Sequence, residues 1–184
     1  MIKKFSYPKY FNDLSKLFNL DENLIKKLKL LEKKILSCKK KNKKVLIFGN
    51  GGSASIASHF SIDLTNVAKV RCQSFSDPSL ITCLSNDHGY ENWIKKTIEH
   101  YADNGDVLIL ISSSGMSKNI IKAASQTSKK FDFISTFSGF SSNNSLKKMG
   151  DLSFWVNSKV YNLIENTHQI WLLSIVDSIA NSRK

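Results

Sequence analysis

The sequence predicts an α/β fold in which one parallel sheet is covered by helices on both faces. Three observations predict it. The apolar runs at 45–48, 107–111 and 131–137 are short and continuous rather than alternating, as strands buried on both faces are. They alternate with longer segments of helical periodicity, the pattern of right-handed crossover connections. Two of the runs end in turns rich in glycine and serine that lead straight into a helix, Gly49-Asn50-Gly51-Gly52-Ser53 and Ser112-Ser113-Ser114-Gly115-Met116-Ser117.

The elements follow in order. A short helix is predicted over 10–18. A longer one starts at the N-cap Asp21 and carries Leu24, Ile25, Leu28, Leu31 and Ile35 on its apolar face. The lysine run at 39–44 reads as its solvated end, so residues 1–43 form an N-terminal helical hairpin and 44–184 the α/β core of a single domain. Strand 45–48 leads through the first turn into a helix from about Ser53 to Leu64 or Asn66, with Ser53 as N-cap. Residues 71–76 read as a second strand and 79–84 as a short apolar segment. The stretch 85–90, containing Asn86 and Asp87, reads as a polar loop. Residues 92–102 form a helix with Trp93, Ile94, Thr97 and Ile98 inward. The strongest strand, 107–111, is followed by the second turn and a helix to about Lys129. Then come strand 131–137, a short helix over 142–149, strand 152–156 and a long amphipathic helix from Tyr161 to about Asn181.

Bulk properties narrow the function. The 184 residues are 41% hydrophobic and 23% charged, enough for one substantial core. No apolar run approaches the roughly 20 residues of a membrane span, and residues 1–7 lack the apolar centre of a secretory leader. Cys38, Cys72 and Cys83 show no metal-type spacing and are odd in number, so reduced thiols in a cytoplasmic protein are expected. The net charge of +12 rests on lysine, with Arg71 and Arg183 the only arginines. An arginine-poor surface without interleaved aromatics argues against nucleic acid. Attraction of a phosphorylated small molecule is the simpler use of the charge.

The two turns carry the chemistry. Both lie at carboxyl ends of strands, where ligands bind in such sheets, so both face one crevice. A glycine-rich turn before a helix leaves free peptide N–H groups and the positive end of the helix dipole for an anion. The serine hydroxyls add further donors.

Together with His59-Phe60 and Asn86-Asp87, these turns resemble the sugar isomerase (SIS) domain family, and within it the phosphoheptose isomerases. The resemblance spans nearly the whole chain. It implies a flavodoxin-like, three-layer fold with a five-stranded parallel sheet, and a homotetramer with sites between subunits. It also implies ketose–aldose isomerisation of a sugar phosphate through an enediol. The substrate implied is sedoheptulose 7-phosphate, and the product a heptose 7-phosphate for lipopolysaccharide or capsule. The implied substrate-binding residues are Asn50, Gly51, Gly52, Ser53, Asp87, Ser112, Ser113, Ser114 and Ser117. Family members use a carboxylate and a histidine as base and acid and often hold zinc. No nucleotide cofactor is implied.

The chain departs from that pattern. His59 matches the first zinc ligand. Asp63 stands where the family has Glu, Glu165 where it has Gln, and Leu173 where it has its final His. His59 and Asp63 are spaced i, i+4, and Glu165 and His168 i, i+3, so each pair shares a helix face. Two readings stay open for them. His59, Asp63 and Glu165 hold a divalent metal such as Zn2+, or Asp63 or Glu165 acts as base and His168 as acid without one. A non-catalytic SIS module, binding a sugar phosphate or a protein partner such as a replication initiator, is the alternative function.

Overall fold

The computed structural model describes residues 5–182. Residues 1–4, part of the segment read for a leader, and 183–184, with Arg183, lie outside the described residues. Strands β1 (Val45–Phe48), β2 (Cys72–Ser74), β3 (Asp106–Ser112), β4 (Phe131–Ser138) and β5 (Leu152–Trp155) form one all-parallel sheet in the order β2-β1-β3-β4-β5. That order is the flavodoxin-like one, with its switch point between β1 and β3. The sheet and its two helical layers match the expected fold class.

Alternation along the strands sorts the core into two halves. Val45 and Ile47 of β1 and Val107, Ile109 and Ile111 of β3 face one layer. It is made by α2 (Glu22–Lys40), α3 (Gly52–Asn66) and α7 (Tyr161–Asn181). Leu46, Phe48, Leu108 and Leu110 face the other, made by α4 (Pro78–His88), α5 (Trp93–Tyr101) and α6 (Lys118–Thr127). Trp93, Ile94, Thr97 and Ile98 are buried as expected. The first helix, α1 (Tyr7–Leu17), has no buried residue and packs on α7.

Three local expectations change. The first helix begins earlier, because the Ser6 hydroxyl accepts from the Lys9 N–H and Pro8 fits the first turn. The apolar segment and polar loop after Pro78 merge into α4. Asp77 caps it by accepting from the Leu80 N–H at 3.0 Å, and it ends at Gly89, with φ 81°. Asp87 therefore sits in a last helical turn, not in a loop. The helix expected over 142–149 shrinks to a 3₁₀ turn, Leu146–Lys148. There Asn144 bonds three backbone or hydroxyl oxygens instead of continuing a helix.

At the amino end of the sheet the polar groups close on one another. Asp106, fully buried, accepts from the backbone N–H groups of Lys44 and Asp103 and pairs with the Lys44 ammonium at 2.8 Å.

Candidate functional site

At the carboxyl end the arrangement is different. Gly51, with φ 54°, is the N-cap of α3 and contributes no side-chain cap; its carbonyl accepts from Ala54 and Ser55. A side chain would be strained at that φ. Ser53, the expected N-cap, is instead inside the first turn of α3 and buried, because the N-cap falls two residues sooner, at Gly51 with its positive φ. Gly51 and Gly52 are exposed, so the helix N-terminus opens to solvent as an anion cradle.

The second turn is held from behind. Gly115, with φ 67°, leaves no room for a side chain: a Cβ there would stand 2.0 Å from Asn144 Oδ1. Within the turn, the hydroxyls of Ser112 and Ser117 are 2.9 Å apart. The Ser114 hydroxyl accepts from the Met116 N–H at 3.2 Å. Ser117 takes the N-cap position of α6 without a side-chain cap bond; Asn119 Oδ1 accepts from the Ile120 N–H, and the helix N–H groups before it stay open.

The two turns, some sixty residues apart in sequence, touch. Ser53 Oγ and Ser113 Oγ lie 3.4 Å apart. The side-chain amides of Asn50 and Asn119 exchange hydrogen bonds of 3.0 Å each. The Tyr90 hydroxyl donates to Asn50 Oδ1 at 3.2 Å, bringing in the segment after α4. Asp87 is exposed and accepts from the Asn86 amide, with no hydrogen bond to either turn.

Glu165, on the first turns of α7, reaches this junction. Its Oε1 accepts from the Ser113 hydroxyl at 3.2 Å. Its Oε2 occupies the space where a Cβ on Gly52 would be, 2.2 Å away. The carboxylate thus lies against the N-terminal end of α3, where the helix dipole favours negative charge. A cavity of about 250 Å³ beside it is lined by Gly52, Ser55, Ile56, Glu165, Asn166 and Gln169.

His59 and Asp63 form a pair two turns further along α3, Nε2 to Oδ2 3.1 Å, both partly exposed. Gln169 Nε2 lies 3.3 Å from His59 Nδ1. An amide NH2 can only donate, so Nδ1 accepts and the ring proton is on Nε2, facing Asp63.

His168 is placed elsewhere. It is fully buried, its Nε2 donates to the Ser138 carbonyl at 3.2 Å, and its ring meets Phe137 edge-on. Burial holds it neutral, with its pKa lowered to about 4; the Ser138 hydrogen bond offsets this only in part. The expectation that His168 moves protons at the substrate is corrected by this burial. The i, i+3 spacing from Glu165 turns the imidazole under β4 while Glu165 faces the turns.

One of the two readings left open by the sequence is a zinc set of His59, Asp63 and Glu165. The structure pairs the first two and engages the third with Ser113. Among the described residues no three His, Cys, Asp or Glu side chains stand close enough to hold a metal ion. The donor set of one protomer does not fit zinc.

With this geometry in view, the likeness to known proteins has a structural basis. A family model described as SIS domain matches residues 9–132. The chain belongs to the SIS domain family. Within it, the chain is 34% identical over 179 residues to phosphoheptose isomerase of Fusobacterium nucleatum, covering 95% of this chain and 91% of that protein. It is 32% identical over 170 residues to phosphoheptose isomerase of Campylobacter concisus, covering 89% of each. The solved phosphoheptose isomerase of Neisseria gonorrhoeae superposes with a TM-score of 0.85 at 24% identity, over 94% of this chain and 96% of that one, and so shares the fold.

The SIS site also contains residues that sequence reasoning passed over. Gln169 was legible as the residue four after Glu165 on one helix face. Asn119, two residues past Ser117, had the weaker signal of a polar residue at a helix position that the amphipathic pattern makes internal. Tyr90 and Asn144 had none, since loop geometry alone brings them to the turns.

Proposed function

We propose that the chain is a sugar-phosphate ketose–aldose isomerase that converts sedoheptulose 7-phosphate to D-glycero-D-manno-heptose 7-phosphate. The observation that carries this reading is the meeting of two open helix N-termini and their serines beside a carboxylate, in a chain this similar to phosphoheptose isomerases. The phosphate binds the N–H groups at the start of α3 with the hydroxyls of Ser53, Ser112, Ser114 and Ser117. Ser113 is turned toward Glu165. Asn50 and Asp87 hold sugar hydroxyls.

His59 lies seven residues beyond Gly52, about 10 Å along the helix at its ordinary rise. An extended seven-carbon sugar phosphate covers that length. Asp63 or Glu165 takes the carbon-bound proton to give the enediol. His59, both of whose ring nitrogens are engaged by Asp63 and Gln169 here, moves protons at oxygen once the substrate takes the place of Gln169 at Nδ1. The exposed Ile62 and Ile170 lie on these same two helices, which supports a site completed by a second copy in a homotetramer. Among the described residues no helix is long and apolar enough to cross a membrane. We place the enzyme in the cytoplasm, supplying surface-polysaccharide synthesis.

Turnover in deuterated water tests the proposal. The aldose product acquires deuterium at the carbon next to its carbonyl, and Asp63→Asn and Glu165→Gln separate the two candidate bases. Protein that leaves heptose and hexose phosphates unchanged, with and without zinc, overturns it. A second reading, a non-catalytic sugar-phosphate module, is favoured by Leu173 in the place of the family's last histidine and by the burial of His168. Tight sugar-phosphate binding without turnover is its signature.

A further inference from the structure

The sequence singles out Asn50 but not what holds it. Three hydrogen bonds give its amide one orientation. The Ile120 backbone N–H, which can only donate, lies 3.0 Å from Asn119 Oδ1 and so identifies the oxygen end of that side chain. With Asn119 oriented in this way, its Nδ2 faces Asn50 Oδ1 and its Oδ1 faces Asn50 Nδ2, each at 3.0 Å. The Tyr90 hydroxyl adds a second donor to Asn50 Oδ1. The oxygen of Asn50 is therefore saturated, and its NH2 group has given one hydrogen to Asn119. Among the described residues no hydrogen bond uses the other. Asn119 itself is buried, with 2% exposure, at the N-terminus of α6, so the pair also ties the first anion turn to the helix that the second turn opens.

We propose that Asn119 is a positioning residue, which fixes the Asn50 amide so that Asn50 meets the sugar only as a hydrogen-bond donor, with Tyr90 as a second, outer brace. The inference rests on the isomerase reading for the identity of the ligand, and on the hydrogen bonds alone for the orientation of Asn50. Asn50 thereby selects a ligand oxygen that accepts: a carbonyl, a hydroxyl lone pair or a phosphate oxygen. A rotated amide would offer its carbonyl oxygen instead, which repels a carbonyl or phosphate oxygen and can only accept from a hydroxyl.

The test compares Asn119→Asp, Tyr90→Phe, Asn50→Ala and the double variant Asn50→Ala/Asn119→Asp in the full chain. Asp keeps the shape of Asn119 and its acceptor for Ile120 but cannot donate to Asn50. The expected result is a rise of about tenfold in KM for sedoheptulose 7-phosphate in Asn119→Asp, and about threefold in Tyr90→Phe, with kcat nearly unchanged. Once Asn50 is Ala, Asn119→Asp adds only the loss it also causes for inorganic phosphate, because in hydrogen bonding the two act as one unit. Affinity for inorganic phosphate alone, which reports the serine turns, stays within twofold in Tyr90→Phe, which adds no charge, and falls in Asn119→Asp through its carboxylate. The Asn50 side-chain amide resonances in the ligand-free protein shift in both Asn119→Asp and Tyr90→Phe.

Fully additive effects in the double variant, beyond the loss seen for inorganic phosphate, overturn the proposal, as do unmoved Asn50 resonances or a parallel loss of inorganic-phosphate affinity in Tyr90→Phe, which would mark a merely structural residue. Because Tyr90 is exposed, Tyr90→Phe retains the fold and keeps the test decisive if Asn119→Asp unfolds. Absence of wild-type turnover would overturn the isomerase reading, and the ligand-free resonances would still decide whether Asn119 holds Asn50.

Discussion

The two ends of the sheet use similar side chains to opposite effect. At the amino end, Asp106 has every bond it needs from within the protein: two backbone N–H groups and the Lys44 ammonium, which also reaches Asp103 at 2.7 Å. At the carboxyl end, the serines touch one another only pairwise, the N-cap residues of two helices make no side-chain cap bond, and Glu165 leans on a single hydroxyl. A buried polar group that lacks a partner costs free energy, so a closed polar cluster serves the fold. An open one can be completed by a ligand. Substitutions at the two ends should accordingly separate stability from activity.

The largest effect belongs to the amino end. Asp106→Ala leaves the Lys44 ammonium, only 15% exposed, without its buried partner and orphans two backbone donors. A loss of about 3–5 kcal/mol in urea unfolding is expected, with KM unchanged in whatever protein remains folded. A KM shift as large as the stability loss would show that the two ends are coupled.

His168 is buried near the carboxyl end yet belongs with the closed groups. Its folded pKa of about 4 lies below the 6.5 of an unfolded histidine. Between those values the unfolded chain holds the extra proton, so acid favours unfolding. Stability is complete above pH 6.5 and falls as the pH drops toward 4, by about 3 kcal/mol at 1.36 kcal/mol per unit. His168→Gln keeps a donor for the Ser138 carbonyl and lacks the titration. The difference between the wild-type and variant stability curves over this window measures the effect, and parallel curves would mean that the ring is hydrated.

An activity effect without a matching stability effect is expected at Ser114. Its side chain is partly exposed and caps only the Met116 N–H. Ser114→Asp keeps a cap acceptor and places a negative charge in the proposed phosphate site. Sugar-phosphate kcat/KM should fall about a hundredfold, while Tm moves by a few degrees at most. An unchanged kcat/KM would remove the second turn from the phosphate site.

The same contrast explains what the sequence made legible. Strand runs, helix periodicity and turn chemistry are local, so the five strands, the two layers and the two strand–turn–helix junctions could be read directly. Helix starts depended on which residue won the cap: Gly51 displaced Ser53, and Asp77 drew a polar stretch into α4. The site was harder because helical spacing tells which residues share a face but not which face turns inward. Glu165 and His168 satisfy the i, i+3 rule, yet one reaches the turns and the other is sealed beneath β4. The bonds of Asn50 to Asn119 and Tyr90 arise from the crossing of separate loops, for which no local pattern exists.

The smallest expected effect tests the open end most directly. Gly52 has no positive φ, so alanine there is not a backbone strain, and as a residue in the first turn of a helix alanine is well tolerated. What the added methyl meets is Glu165: Oε2 would be 2.2 Å away and the carboxylate carbon 2.8 Å. A glutamate side chain can rotate aside, so stability should stay within about 1 kcal/mol. The carboxylate must then leave the Ser113 hydroxyl. If Glu165 is the base, kcat falls about tenfold or more in Gly52→Ala, since a displacement of this size misaligns proton transfer. Adding Glu165→Gln then costs less in this background than in the wild type. If Asp63 is the base, kcat in Gly52→Ala stays near wild type and only KM rises. Steady-state kinetics of Gly52→Ala, Glu165→Gln and the double variant therefore decide which carboxylate takes the proton, with one methyl group as the probe.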